Sequence, residues 1–128
     1  MTPPVIAILE LKIKDLLYIP SGSRVICDPP VLTTDEDWFV WVSDWDEAAE
    51  ILYAEGFSPT TEQQDYTAFI SLRKAYLNIC VTTDIDLYKR TVLATDLAKR
   101  FNLLNKQDRV DLFNAIQFGS LEEKKGNK

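Results

Sequence analysis

The chain has 128 residues, 46% of them apolar, enough for one domain with a core. It carries a net charge of −6 and no histidine, which excludes serine–histidine and cysteine–histidine catalysis and histidine zinc sites and leaves carboxylates, lysine, tyrosine and cysteine for proton or metal work. No apolar run approaches the length of a membrane span, and two cysteines imply no disulfide framework.

The chain opens with MTPPVIAILELKIKDLL. It lacks the basic start and small-residue cleavage site of a signal peptide, so a cytoplasmic location is expected. Between Pro4 and Asp15 two periods compete. Ile6, Leu9, Ile13 and Leu16 recur at helical spacing, while Leu9, Leu11 and Ile13 alternate with charged residues. Helix is preferred, because proline suits a helix start. Leu16 to Ile19 reads as a first strand, ended by Pro20. A Gly22-Ser23-Arg24 turn follows, then the stiff Asp28-Pro29-Pro30 loop.

Asp37 to Val42 reads as a second strand, apolar on both faces beyond Asp37. Ser43-Asp44 caps a helix over WDEAAEILYAEGF with Ala48, Ile51, Leu52 and Tyr53 as its buried stripe, stopped by Gly56. Ser58 to Gln64 reads as a polar loop. Tyr66 to Leu72 and Tyr76 to Thr82 read as a hairpin turning at Arg73-Lys74. On its second strand Asn78 and Cys80 share one face. Thr83-Asp84 caps a long helix, Ile85 to Leu104, with a stripe of Leu87, Thr91, Ala94, Ala98 and Phe101 broadened by Val92, Leu93 and Leu97. A last helix runs from Asp108 to Phe118. Residues 1–119 therefore read as a single α/β domain, a small mixed sheet flanked by helices. Residues 120–128 read as a polar, frayed tail.

Charge is unevenly distributed. No lysine or arginine lies between Val25 and Leu72, where eleven acids fall between Asp28 and Asp65. From Arg73 to Arg109 there are eight basic residues against four acids. A carboxylate metal site facing a basic rim has this pattern, and so does an acidic face made for a basic partner protein. The acidic helix with Asp46, Glu47, Glu50 and Glu55 is the candidate partner face. Lys89, Arg90, Lys99 and Arg100 fall broadly on one side of the long helix, and Lys89 and Arg90 are the candidate basic rim.

The chemistry-bearing stretch is Tyr18 to Val42. A strand places Asp35 and Asp37 on one face, roughly 7 Å apart along the chain, with Glu36 on the other. Two such carboxylates repel until a hard divalent cation joins them, and Mg²⁺ is usually held by one or two carboxylates plus substrate phosphates. Glycine lets backbone approach a ligand, and exposed N–H groups can hold a phosphate. Each feature also has a plain reading. Acids before a strand can simply be solvated, and a lone Asp-x-Asp is a short motif.

Gly-Ser, an eleven-residue spacer and Asp-x-Asp entering an apolar strand resemble the nucleotidyltransferase superfamily that includes DNA polymerase beta. The likeness is greatest to small nucleotidyltransferases encoded by bacteriophages, which would mean the host cytoplasm, and it runs from about Tyr18 to about Gly119. The resemblance implies a Mg²⁺-dependent transfer of a nucleoside monophosphate from a nucleoside triphosphate to an acceptor, nucleic acid among the choices. It implies that Asp35 and Asp37 bind Mg²⁺ as the catalytic pair. It also implies that Gly22 and Ser23 hold phosphate, with Arg24 beside them. The family places a third carboxylate on a later strand, and the matching position here is Asn78, so weakened catalysis is expected. The alternative is a non-catalytic interaction protein on the same fold, for example a phage-encoded inhibitor of a host protein, acting through its acidic half. Fold does not choose between them.

Overall fold

The computed structural model describes residues 2–27, 35–60 and 69–118. In order these form α1 (Pro4–Lys12), β1 (Leu17–Ser21), α2 (Ser23–Ile26), β2 (Glu36–Trp41), α3 (Trp45–Ala54), β3 (Ser58–Pro59), β4 (Ile70–Lys74), β5 (Leu77–Thr82), α4 (Ile85–Arg100) and α5 (Lys106–Phe118). The expected α/β class is correct. One five-stranded mixed sheet has the order β1-β2-β5-β4-β3. β2 and β5 are parallel, and the other pairs are antiparallel.

Alternation along the central strands divides the core in two. Trp38, Val40, Leu72, Ile79 and Val81 face one way and pack with Ile6 and Leu9 of α1 and Ala48 and Leu52 of α3. Fully burying each such aliphatic side chain stabilises by about 1.5–3 kcal/mol. Phe39 faces the other way and packs with Leu87 and Tyr88 of α4. α1 and α3 thus cover one face of the sheet, and α4 with α5 covers the other. Asp44 caps α3 by accepting from Asp46 N, and Asp84 caps α4 by accepting from Asp86 N and Leu87 N. No helix of the described residues is long and apolar enough to cross a membrane.

Several expectations shift. β1 continues one residue beyond Pro20 because it is an edge strand, where a missing donor is tolerated. The Gly22 turn leads straight into the helical turn of α2, with Val25 N and Ile26 N donating to Gly22 O. Arg73-Lys74 is not the hairpin turn. Both belong to β4, and the chain reverses at Ala75-Tyr76 with Ala75 in the left-handed region at φ 55°. Ser58-Pro59 forms the other edge of the sheet, paired with Arg73 and Leu72. Tyr53 is exposed because α3 turns its Ala48–Leu52 side inward. α4 ends at Arg100 rather than Leu104, and Val92, Leu93 and Phe101 are exposed, with Tyr88 and Thr95 buried instead. α5 starts two residues early, at Lys106. The Asp28-Pro29-Pro30 loop, Tyr66 to Ala68 and the tail lie outside the described residues.

Candidate functional site

Strand register builds the site. Ser21 pairs with Asp37, Asp37 with Asn78, and Asn78 with Arg73, giving one row of polar residues across four neighbouring strands. Directly paired residues point to the same side of a sheet, and neighbouring strands are about 4.8 Å apart. The row lies on the face covered by α4 and α5. Ser21 is tied to that layer by a 3.1 Å hydrogen bond between its Oγ and Thr95 Oγ1 of α4.

Above the row is a cleft of ≈ 610 Å³. Asp35, Asp37, Gly22 and Asn78 all line it, so four of the residues singled out from sequence meet in one place. Phe39 and Phe69 supply an apolar floor, and α5 supplies the opposite wall with Lys106, Arg109 and Phe113. That wall is pinned to α4. Gln117 is buried and donates from Nε2 to Thr91 Oγ1 at 2.8 Å, while Arg90 Nη1 donates to Gln117 O at 3.4 Å. Arg109 Nη1 donates to the carbonyls of Leu103 and Leu104 at the bend between the helices, at 2.9 and 3.0 Å.

Gly22 and Asp37 touch. Gly22 has φ +80°, and a Cβ built on it would lie 2.2 Å from Asp37 Oδ2. Only glycine gives both the left-handed conformation and that close approach. Asn78 Nδ2 donates to the other carboxylate oxygen, Asp37 Oδ1, at 3.2 Å, and Asn78 Oδ1 accepts from Ser71 Oγ. Burial pushes the Asp37 carboxyl above its ordinary value, and the Asp35 charge pushes the same way. The Asn78 hydrogen bond and the Arg73 and Arg24 guanidiniums pull it back.

Asp35 is bound differently. Its Oδ2 lies 2.7 Å from Arg73 Nη1, with both side chains about half exposed. Such a pair contributes at most about 1 kcal/mol. Glu36 turns away and accepts from Trp38 Nε1 at 2.8 Å, as alternation requires. Arg24 stacks its guanidinium over the Tyr76 ring, 5.3 Å from the centroid. Ser23 opens α2. Cys80 is next to the polar network, and burial pushes its thiol up to about 12, so it is a neutral thiol there.

Other expected residues lie elsewhere. Lys89 and Arg90 do not line the cleft, and Arg90 serves the end of α5 instead. Asp46, Glu47 and Glu50 are exposed on α3, on the opposite side of the sheet. Arg73 pairs with Asp35 and, with Arg24, acts on Asp37, while Lys106 and Arg109 line the cleft; of these four cations only Arg24 was singled out from sequence. Arg73 could have been found by continuing the β4 alternation one step past Ser71. Lys106 and Arg109 carried no local signal, because only tertiary packing brings α5 over the row.

The donors fit one kind of metal binding and not another. Two carboxylates open to one cleft, one of them desolvated, suit a single Mg²⁺ completed by ligand phosphates and water. They do not suit a three-carboxylate, two-ion site. Asn78 turns its amide nitrogen to Asp37 and its oxygen to Ser71. Among the described residues no group of three His, Cys, Asp or Glu side chains could hold a metal ion. No protein-family model, curated protein or solved structure matches the chain.

Proposed function

We propose that the cleft binds a nucleoside triphosphate with Mg²⁺ in the manner of the nucleotidyltransferases that the sequence resembles, with little or no transfer. The observation that carries this reading is the contact between Gly22 and Asp37, in a cleft that Asp35 also lines. Gly22 and Asp37 are fifteen positions apart in sequence, and the two motifs would be unrelated if they met nowhere. Asp35 and Asp37 would hold the cation, whose chemistry is to neutralise charge on the phosphoryl oxygens. The missing side chain at Gly22 makes room for the Asp37 carboxylate, and the cation held there would let a phosphate approach from the cleft side. Lys106 and Arg109 on the α5 wall add positive charge for the rest of an anionic ligand. Asn78 holds Asp37 in place by hydrogen bonding but adds no charge, which is why catalysis is weak. The test is calorimetric binding of α,β-methylene-ATP with Mg²⁺, followed by incorporation of labelled nucleotide into protein, RNA and small-molecule acceptors. Binding lost in Asp37→Ala supports the reading. Absence of binding in the wild type removes it, and robust turnover removes the assignment of Asn78 as the weakened position.

One observation favours a second role, as a binding protein for a basic partner. Asp46, Glu47 and Glu50 are exposed on α3, and neither of the two ion pairs of the described residues involves them. Glu55, at the end of the same helix, is half-buried, and its carbonyl accepts from Lys74 Nζ at 2.8 Å. A one-signed face speeds encounter with an oppositely charged protein. Charge reversal at Glu47 and Glu50 should slow association and leave Tm nearly unchanged. An on-rate indifferent to both salt and those reversals would leave the acids as solvation only.

A further inference from the structure

Arg73 lies at one end of the polar row, one strand beyond Asn78 and two beyond Asp37. Its guanidinium reaches Asp35, which with Asp37 is one of the two carboxylates of the cleft. Its positive charge is also felt at Asp37. Arg73 thus stands where a cation between the carboxylates would compete with it. The ion pair is half exposed and weak, so a divalent ion can displace it. The freed guanidinium stays on β4 beside the cleft, its backbone fixed by pairing with Asn78. Guanidinium binds phosphate through two parallel N–H···O bonds as readily as it binds carboxylate.

We propose that Arg73 is an anion-binding residue of this cleft, one that exchanges the Asp35 carboxylate for a phosphate of the ligand when a divalent cation takes Asp35. This rests on the nucleotide reading above and adds to it a residue and an order of events. Metal and phosphate then bind cooperatively, because the cation releases the group that receives the phosphate. Arg73 is a ligand-binding residue in this scheme.

The experiment uses the full chain. Mn²⁺ binding alone, followed by its electron spin resonance signal, should tighten several-fold in Arg73→Gln. Binding of α,β-methylene-ATP with Mg²⁺ should weaken by at least about tenfold, the scale of one charged hydrogen bond. A guanidinium acting only through its field would give the same two shifts, tighter Mn²⁺ and weaker nucleotide, so the side chain itself must also be observed. The ¹⁵N resonances of the Arg73 guanidinium should move on adding Mg²⁺, matching those of Asp35→Asn, and move again to a new bound position with Mg²⁺ and α,β-methylene-ATP together. If the backbone amides of Gly22, Asp37 and Asn78 respond to the nucleotide while the Arg73 resonances keep their Asp35-paired position, the proposal is wrong and the nucleotide reading stands. If none of those amides responds, the nucleotide reading fails and Arg73 falls with it.

Discussion

The α-carbon of Gly22 rests against the carboxylate of Asp37, so close that a methyl group at position 22 would lie 2.2 Å from Oδ2. Fifteen positions of sequence separate the two residues, and register brings them together. Ser21, the neighbour of Gly22, is the strand partner of Asp37. Gly22→Ala should therefore incur two penalties. The left-handed backbone costs about 1–3 kcal/mol, and the Asp37 carboxylate must move. A double-mutant cycle in urea separates them. Asp37→Ala should relieve the steric part of Gly22→Ala and leave the backbone part, so the double variant should lose less than the sum of the two single losses. Strict additivity would mean that the contact carries no energy.

Asn78→Asp should destabilise the metal-free protein by about 1–3 kcal/mol, because the donor to Asp37 is replaced by a second half-buried carboxylate beside it. Ser71 can still donate to the new side chain. On the proposed reading Mg²⁺ should restore much of the loss, since a third acid would join Asp35 and Asp37 around the cation. The measurement is Tm with and without Mg²⁺. The variant should gain several degrees where the wild type gains little, and an equal response in both would place Asn78 outside the metal's reach.

The Asp37 carboxyl titrates above its ordinary value of 3.8, mainly through burial. A raised value means that the folded protein holds this proton more tightly than the unfolded chain does. The stability this gives is fully present below about pH 3.8 and is lost as pH rises through the folded value. Asp37→Asn keeps a neutral group at every pH. It should match the wild type in acid and become more stable by a few degrees towards neutrality, while losing nucleotide binding. A melting series across that range checks both the sign and the window, and a variant less stable than wild type at pH 7 contradicts it.

Cys80 should set part of the alkaline limit. Its folded value is about 12 against an ordinary 9.0, with burial the main cause. The unfolded chain therefore loses the thiol proton first, and stability falls between about pH 9 and 12. Burial also raises Tyr88, which adds to the same limb. Cys80→Ala should flatten that fall without abolishing it. In the native protein Cys80 should also resist iodoacetamide at pH 8 and react once urea unfolds the chain.

Most of the element order was legible in the sequence, because it rests on local signals. Asp44 and Asp84 announce their helices as caps, and Trp38 to Val42 announces a covered strand. The hairpin turn was misplaced for an equally local reason. Ala75 takes a positive φ, which alanine does not advertise, whereas Arg73-Lys74 breaks the apolar pattern and looks like a turn. The exposed Val92, Leu93 and Phe101 mimicked a buried stripe, since helical period alone cannot say which of two apolar sides is covered. Within the site, the acids and the glycine were legible because they belong to a spaced motif. The cleft's opposite wall was not. Lys106, Arg109 and Phe113 reach it through tertiary packing pinned by bonds such as Gln117–Thr91 and Arg90–Gln117, which join residues 26 and 27 positions apart.

The two edges of the sheet each carry a proline, Pro20 in β1 and Pro59 in the two-residue β3. An edge strand is a template on which another chain can lay itself down, and proline removes one of the donors that such templating needs. β1 also carries its proline near the end that faces the cleft, and β3 is too short to seed a ladder. Sideways growth into strand-exchanged dimers or fibres is therefore disfavoured at both margins. Along these two edges of the described residues, a visiting protein must read this one through its side chains, because the edge backbone offers little to hold.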